Sequence, residues 1–140
     1  MATKKERFTI LLCGKKEMMA DVRRLITPAE DMHLQFASSP GFLVGRALFN
    51  APRLVMVDVT RDTQTLRSSI KEFTAEIPDV PVIAVATEPD HSFAVELVKM
   101  GVSAYFIFPE EHRKIRDQIT LLYYDCRAKK QKERFVEVQQ

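Results

Sequence analysis

The sequence predicts an α/β fold, (βα)5, in which five strands and five helices alternate to build a doubly wound, five-stranded parallel sheet. The 140 residues, 46% hydrophobic and 29% charged, suit one globular domain. Five short apolar runs rich in β-branched residues recur along the chain, and segments with helical spacing separate them. This alternation is typical of parallel sheets with helices on both faces and right-handed crossovers.

The five apolar runs have the length of strands. They are Phe8 to Cys13, Leu34 to Ser38, Leu54 to Val59, Val82 to Thr87 and Ala104 to Phe108. The third and fourth are apolar at nearly consecutive positions, so we expect them to be central, with both faces covered. Functional side chains of such sheets lie beyond the carboxyl ends of the strands. The site is therefore expected at Cys13 to Lys16, Asp58 to Thr60, Ala86 to Glu88 and Phe108-Pro109.

Apolar residues at a period near 3.6 predict a helix after each of the first four strands. The predicted buried faces are Met18, Val22, Leu25 and Ile26; Leu43, Ala47 and Leu48; Leu66, Ile70, Phe73 and Ile77; and Phe93, Ala94, Leu97 and Val98. Proline ends the first helix at Thr27-Pro28, and Gly101 is placed to stop the fourth.

The fifth helix is predicted to begin near Pro109-Glu110 and has no clear stop signal. Six residues continue it at alternating steps of three and four: Leu121, Tyr124, Ala128, Gln131, Phe135 and Val138. This spacing indicates either a short coiled-coil seam or one to two helical turns followed by a polar tail. We divide the chain into a domain of residues 1–124 and a helical linker or tail of residues 125–140.

Charge and cysteine content exclude several classes of protein. The net charge of +2 gives no case for nucleic-acid or membrane binding over the whole surface. Residues 113–140 nevertheless carry 8 basic and 4 acidic side chains. The two cysteines and the scattered histidines, His33, His91 and His112, lack metal-ligand spacing. With no secretory signal and no apolar run long enough for a membrane span, we expect a cytoplasmic protein with reduced thiols.

An aspartate at the end of a strand makes the pattern more specific. Asp58 lies near the end of PRLVMVDVT, and PVIAVAT and MGVSAYFIFP follow at the spacing of the next two strands. In order and spacing, Phe8 to about Tyr124 resembles a response-regulator receiver domain, which has a flavodoxin-like fold. The resemblance implies that Asp58 is the phosphoacceptor position and Tyr105 the switch aromatic. It also places Phe108-Pro109 at the family's cis peptide bond.

The chain departs from that family at every position that assists phosphorylation. Cys13-Gly14-Lys15-Lys16 stands where receivers have the acidic residues that hold Mg²⁺. Ala86 takes the hydroxyl position, although Thr87 follows it, and Phe108 takes the lysine position. We therefore expect Mg²⁺ binding to be weak or lost, with Lys15 or Lys16 pairing with Asp58. Alternatively, Asp58 caps the following loop and both lysines point into solvent.

The resemblance implies a signalling module and not an enzyme. We expect an atypical receiver that binds a protein partner or forms a homodimer, through the fourth helix, fifth strand and fifth helix or through the C-terminal helix. Met100, Tyr105, Tyr123 and Tyr124 are candidate anchors. The basic tail resembles the linker of sigma-54-dependent activators, which implies transcriptional output with DNA bound by a separate domain. The alternatives are a conventional receiver phosphorylated on Asp58, or a small-molecule or redox sensor near Cys13, Gly14 and Phe108; a buried, structural Cys13 is favoured over a reactive one.

Overall fold

The computed structural model describes residues 7–26 and 32–139, and the side chains of residues 42, 130, 131 and 133–139 are not considered. The chain order is β1 (Phe8–Cys13), α1 (Lys16–Arg24), β2 (Met32–Ala37), a 3-10 turn (Pro40–Phe42), α2 (Leu43–Asn50), β3 (Leu54–Asp58), α3 (Gln64–Glu76), β4 (Val82–Ala86), α4 (His91–Lys99), β5 (Ala104–Ile107) and α5 (His112–Gln139). The predicted alternation of five strands and five helices is confirmed.

The five strands form one parallel sheet in the order β2-β1-β3-β4-β5. This order makes β3 the middle strand and puts β4 inside the sheet, as predicted. The register pairs Cys13 with Val57 and Asp58 with Val85. The ends of β1, β3 and β4 therefore lie side by side at one edge of the sheet. The strand order changes direction between β1 and β3, which is where parallel α/β sheets open a crevice.

The sheet is packed on both faces. Alternate residues of β3 divide between two apolar clusters, with Leu54 and Met56 facing α1 and α5, and Val55 and Val57 facing α2, α3 and α4. Strand residues that are buried on both sides explain the continuous apolar runs of β1, β3 and β4. The two clusters fix the strand ends, and through them the side chains at the crevice.

Several details of the predicted elements need correction. Leu48 and Val98, which the sequence predicts on buried helix faces, are 74% and 57% exposed. Each of these short helices buries only a narrow stripe, which leaves Leu48 and Phe49 of α2 and Val95 and Val98 of α4 outside it. Strands β2, β3, β4 and β5 also end one residue earlier than predicted, and β2 begins two residues earlier, at Met32. The helix stop at Thr27-Pro28 lies outside the described residues.

Local capping accounts for the helix boundaries near the site. The Thr63 and Asp90 side chains accept hydrogen bonds from the backbone N–H groups of Leu66 and Phe93, at the starts of α3 and α4. Gly101 follows α4 with a φ of +105°, which confirms its predicted role as the stop.

Helix α5 is continuous from His112 to Gln139 and passes residue 124 without interruption. Its first half packs on the sheet through Ile115, Ile119 and Tyr123. The Tyr123 ring meets the Phe8 ring edge-on, with centroids 5.3 Å apart, which joins α5 to the first strand. Arg127 donates a hydrogen bond to the Tyr123 hydroxyl at 2.9 Å within the helix, and Cys126 packs against the core cluster, so contacts with the domain extend past residue 124.

Candidate functional site

An open groove of about 710 Å³ lies at the carboxyl ends of the central strands. Asp58 and Thr60 line it after β3, Thr87 after β4, and Phe108 after β5, while Lys15 lines it at the start of α1. Parallel strands that end at one edge bring these residues together. The groove therefore brings together four of the eight predicted site residues, namely Lys15, Asp58, Thr87 and Phe108.

Asp58 is the central carboxylate of this groove and is partly buried. Its Oδ1 accepts a hydrogen bond from the backbone N–H of Thr60 at 2.9 Å. This bond closes the turn that follows β3, as in the alternative interpretation of Asp58 as a loop cap. Across residues 7–26 and 32–139, no lysine lies within ion-pair distance of the Asp58 carboxylate. The predicted ion pair with Lys15 or Lys16 is therefore not formed.

The two lysines line different pockets. Lys15 is the N-cap of α1 and lines the groove of Asp58. Lys16 is the first residue of α1 and lines a second pocket, with Arg23 and Arg46. Of the two, Lys15 alone shares the groove with Asp58.

Gly14 packs directly against Asp58. A Cβ atom at position 14 would overlap the Cβ of Asp58, and the φ of Gly14 is +153°, a value that other residues rarely adopt. The N–H of Gly14 also bonds the carbonyl of Ala37 at 3.1 Å, which fixes this close approach. An acidic side chain of the kind that receivers carry after β1 has no room at position 14.

Hydroxyl groups connect the loops after β3 and β4. The Thr60 hydroxyl accepts a hydrogen bond from the backbone N–H of Thr87 at 3.2 Å, and the two hydroxyls lie 3.5 Å apart. Ala86, the predicted hydroxyl position, is the last residue of β4 and is buried. Thr87 is exposed and lines the groove, so a hydroxyl is present one residue beyond Ala86.

Phe108 places an aromatic ring at the lysine position of receivers. It lines the groove beside Pro109 and packs partly against the α1 and α5 side of the core. Its N–H bonds the Ala86 carbonyl at 2.8 Å, and the Phe108-Pro109 peptide bond is cis, as the resemblance implied. Glu111 then accepts a hydrogen bond from the Ile107 N–H at 2.8 Å, and this bond and Lys114 hold the pKa of Glu111 below its usual range.

Tyr105 supports the loop between β4 and α4. Its hydroxyl accepts a hydrogen bond from the Asp90 N–H at 3.2 Å and lies 3.5 Å from the Glu88 carbonyl. Among the other candidate anchors, Met100 packs on the core and Tyr123 is buried, so neither offers a free surface. Tyr124 is 64% exposed.

Cys13 is buried at the end of β1 beside Asp58. Burial, and secondly the Asp58 charge, raise the pKa of the Cys13 thiol to about 12. A thiol of this kind remains protonated at neutral pH, which argues against a nucleophilic or redox role. The other cysteine, Cys126, is half-buried on α5.

The residues at the groove do not fit a Mg²⁺ site. Glu17 and Asp21 line it together with Asp58, but the described part of the chain brings no three His, Cys, Asp or Glu side chains together as metal ligands. Gly14 lies against Asp58 where a second carboxylate would be needed, and Lys15 adds a positive charge.

Beside the groove, the structure contains a network of contacts around Arg67 that the sequence did not predict. Arg67 makes two hydrogen bonds of 2.6 Å to Asp62, pairs with Glu96 and lies 5.0 Å above the Phe93 ring. This bidentate pair holds the pKa of Asp62 below its ordinary value. The network ties the start of α3 to α4. Asp62 and Arg67 are five residues apart, a spacing that does not make two side chains neighbours on a helix, so the sequence did not indicate this pair.

None of the helices in the described ranges combines the length and apolar character that crossing a membrane requires.

Comparison with known proteins identifies structural relatives only. No family model matches the sequence, and no curated protein matches it. A signal receiver domain of an HD domain-containing protein from Pseudomonas fluorescens Pf-5 has a TM-score of 0.73 at 14% identity, covering 87% of this chain and 98% of that one. A pilus assembly-related protein from Burkholderia pseudomallei K96243 has a TM-score of 0.71 at 17% identity, covering 87% and 92%.

The signal receiver domain of a DNA-binding response regulator from Colwellia psychrerythraea 34H has a TM-score of 0.69 at 18% identity, covering 84% of this chain and 98% of that one. At such identities the similarity concerns the fold. Together with the five-stranded parallel sheet, these relatives show that the chain has the flavodoxin-like fold of response-regulator receiver domains.

Proposed function

We propose that this chain is a regulatory module of signal transduction, an atypical receiver that acts through protein contacts or dimerisation and does not need Mg²⁺-dependent phosphorylation of Asp58. The packing of Gly14 against Asp58 is the observation that carries the proposal. It removes the space for a metal-binding carboxylate at the position where phosphorylation needs one. The module has no catalytic activity of its own in this proposal.

The loops around Asp58 already form a connected set. Thr60 bonds both Asp58 and Thr87, and Tyr105 bonds the Asp90 N–H in the next loop. These bonds join the end of β3 to the loop after β4, and that loop to Tyr105 within β5, without any added group. A phosphoryl group is therefore not required to bring the loops together, which supports a function independent of phosphorylation.

The phosphorylation part is tested with a small phosphodonor, such as acetyl phosphate, and Mg²⁺. Intact-mass spectrometry should show no gain of one phosphoryl group, either in the wild-type chain or in the matched Asp58→Asn variant. Stoichiometric labelling that disappears in Asp58→Asn would overturn the proposal. That outcome would support a conventional receiver, in which the nearby Thr87 hydroxyl contacts the phosphoryl group.

The dimerisation part rests on exposed apolar side chains. Leu121 and Tyr124, on one face of α5, are 63% and 64% exposed, and α4 exposes Val95 and Val98. A self-associating surface of α4, β5 and α5, or of α5 alone, would cover these side chains. The seam positions beyond Ala128 continue the same spacing along the helix.

Light scattering on the full chain tests this part and separates the two surfaces. We expect a dimer that the double variant Leu121→Ser/Tyr124→Ser converts to a monomer. The matched variant Val95→Ser/Val98→Ser reports on α4. Substitution is preferable to truncating the chain after Leu122, because truncation would remove the buried Tyr123. A monomeric wild-type chain up to high concentration would remove dimerisation from the proposal and leave partner binding.

The output in this proposal is transcriptional, of the sigma-54-dependent class, with DNA bound by a separate domain. The support is the basic, helix-forming segment of residues 127–135 and the unbroken course of α5 toward it. Fusion of residues 1–140 to a DNA-binding domain that requires dimerisation should restore operator binding, and Leu121→Ser/Tyr124→Ser should abolish it. Operator-independent DNA binding by the unfused chain at physiological salt would contradict the assignment of DNA contact to a separate domain.

A further inference from the structure

A second pocket, of about 520 Å³, lies on the other side of Gly14 from the Asp58 groove. It is formed at the carboxyl end of the edge strand β2, between residues of α1 and α2. Its size falls in the range of small-molecule sites, roughly 300 to 1,000 Å³. Neither the receiver fold nor the proposed function assigns a role to it.

Three cations from two helices line this pocket. Lys16 and Arg23 come from α1, and Arg46 comes from α2. Among the described residues, no carboxylate lines it. Within residues 7–26 and 32–139 none of the three forms an ion pair, whereas Arg24 pairs with Asp21 and Arg67 with Asp62. The pocket therefore holds unneutralised positive charge.

The start of α1 adds to this potential. Lys15, the N-cap, makes no side-chain hydrogen bond to the first turn, so the helix begins without a capping oxygen. The N-terminus of a helix carries partial positive charge, and Lys16 stands in the first turn on the side of this pocket, whereas Lys15 and the acidic Glu17 line the Asp58 groove. The partial charge at the helix N-terminus and the charges of the side chains that line the pocket are both positive, which favours a ligand with more than one negative charge.

The remaining wall of the pocket is apolar. Phe36, at the end of the edge strand, is 44% exposed, and Met19 and Ala20 lie on the facing helix. An aromatic ring exposed beside guanidinium groups offers a stacking surface for a flat molecule. The combination of an apolar wall and three cations fits an anion that also has a flat apolar part better than it fits a simple inorganic ion.

We infer that this pocket binds an organic polyphosphate with a flat apolar body, for which a purine nucleoside diphosphate is the simplest probe. Lys16, Arg23 and Arg46 bind its phosphates, and Phe36 stacks on its ring. Gly14 lines this pocket, lies against Asp58 of the neighbouring groove and is bonded to Ala37 at the end of β2. This ligand is a second input to the module, and its binding requires neither Mg²⁺ nor phosphorylation of Asp58.

The test is isothermal titration calorimetry on the full chain at low salt with ADP, pyrophosphate and adenosine as probes. We expect ADP to bind more tightly than pyrophosphate and adenosine not to bind. Each exposed cation contributes up to about fivefold in affinity, so Lys16→Gln/Arg46→Gln should weaken ADP binding by up to about 25-fold. The control is Arg24→Gln, which lies on the same helix but faces the other groove and should bind ADP like wild type.

Phe36→Ala separates the stacking contact from the charge. It should weaken ADP binding and leave pyrophosphate binding unchanged, and circular dichroism should show that both variants are folded. Absence of ADP binding at millimolar concentration would overturn the inference. Equal weakening by Arg24→Gln and by the double variant would also overturn it, because binding would then reflect total charge. Neither result affects the phosphodonor test of Asp58, so the two proposals fail separately.

Discussion

The backbone of Gly14 lies against the Cβ of Asp58, so that β1 and β3 meet at the groove with no side chain between them. The positive φ of Gly14 and the Asp58 contact both oppose any larger residue there. This contact leaves no room for a side chain between Gly14 and Asp58.

Gly14→Ala should destabilise the protein by about 2 to 4 kcal/mol, because it adds a disfavoured backbone conformation to a steric overlap. Urea denaturation followed by circular dichroism measures the change. The control is Gly45→Ala, in the middle of α2, where an added Cβ meets nothing within 4 Å. That variant should gain up to about 1 kcal/mol from helix propensity. Equal effects of the two substitutions would contradict the close packing of Gly14.

The buried Cys13 thiol should make the protein less stable in alkali. Its pKa is raised to about 12 in the folded chain from the ordinary 9.0, so the unfolded chain loses its proton first as the pH rises. The contribution of the Cys13 thiol to the free energy of unfolding is constant below about pH 9. Above that pH, the free energy of unfolding falls by up to about 1.4 kcal/mol per pH unit until the thiol of the folded protein titrates.

Denaturation curves at pH 8, 9 and 10 test this by comparing the wild-type chain with Cys13→Ala. The variant should show a shallower decline above pH 9, whatever its stability at pH 8. Cys126→Ala, in which the buried thiol remains, should follow the wild-type slope. Parallel curves for Cys13→Ala and wild type would show that the thiol is not protonated as described.

Arg67 should control the titration of Asp62. Their bidentate pair holds the Asp62 pKa low, so Arg67→Ala should return that pKa toward 3.8, its ordinary value. Carbon-detected NMR of the Asp62 carboxyl group measures it directly. Glu96→Gln keeps the Asp62 pair and should leave the pKa low. The pair stabilises the folded protein at pH values above the ordinary pKa of Asp62. This stabilisation is lost as the pH falls through the lower pKa that Asp62 has in the folded protein.

Tyr105→Phe should loosen the loop between β4 and α4. It removes the hydroxyl that accepts the Asp90 N–H, a loss of about 1 kcal/mol for a hydrogen bond of this kind. Hydrogen exchange of the Asp90 amide should accelerate, while amides in β3 should not change. Tyr124→Phe removes an exposed hydroxyl and serves as the control. An unchanged Asp90 exchange rate in Tyr105→Phe would contradict the support that we assign to Tyr105.

The strands were predictable from the sequence because they are buried on both faces, and apolar runs such as Leu54 to Val57 report that directly. The grouping of Asp58, Thr87 and Phe108 followed from the parallel order, since strand ends share one edge. The directions of Lys15 and Lys16 did not follow. Lys15 has an extended backbone at the N-cap whereas Lys16 is helical, and this boundary alone places them in different pockets.

The close approach of Gly14 to Asp58 also could not be predicted from the sequence. It depends on the β1–β3 register, in which Cys13 pairs with Val57 and the following residues meet. A glycine after a strand has many possible reasons, and only the register identifies the neighbour. The same holds for Arg67, whose partners Asp62 and Glu96 come together because α3 and α4 are neighbours on one face of the sheet.

The edge-on contact of Phe8 with Tyr123 has a mechanical consequence for α5. It anchors the helix to the first strand near its middle, and 16 residues then continue to Gln139, about 24 Å of helix. A tilt of about 10° at Tyr123 would move the far end by about 4 Å. A small change in the packing of Tyr123 against Phe8 would therefore produce a larger displacement at the C-terminal end of α5.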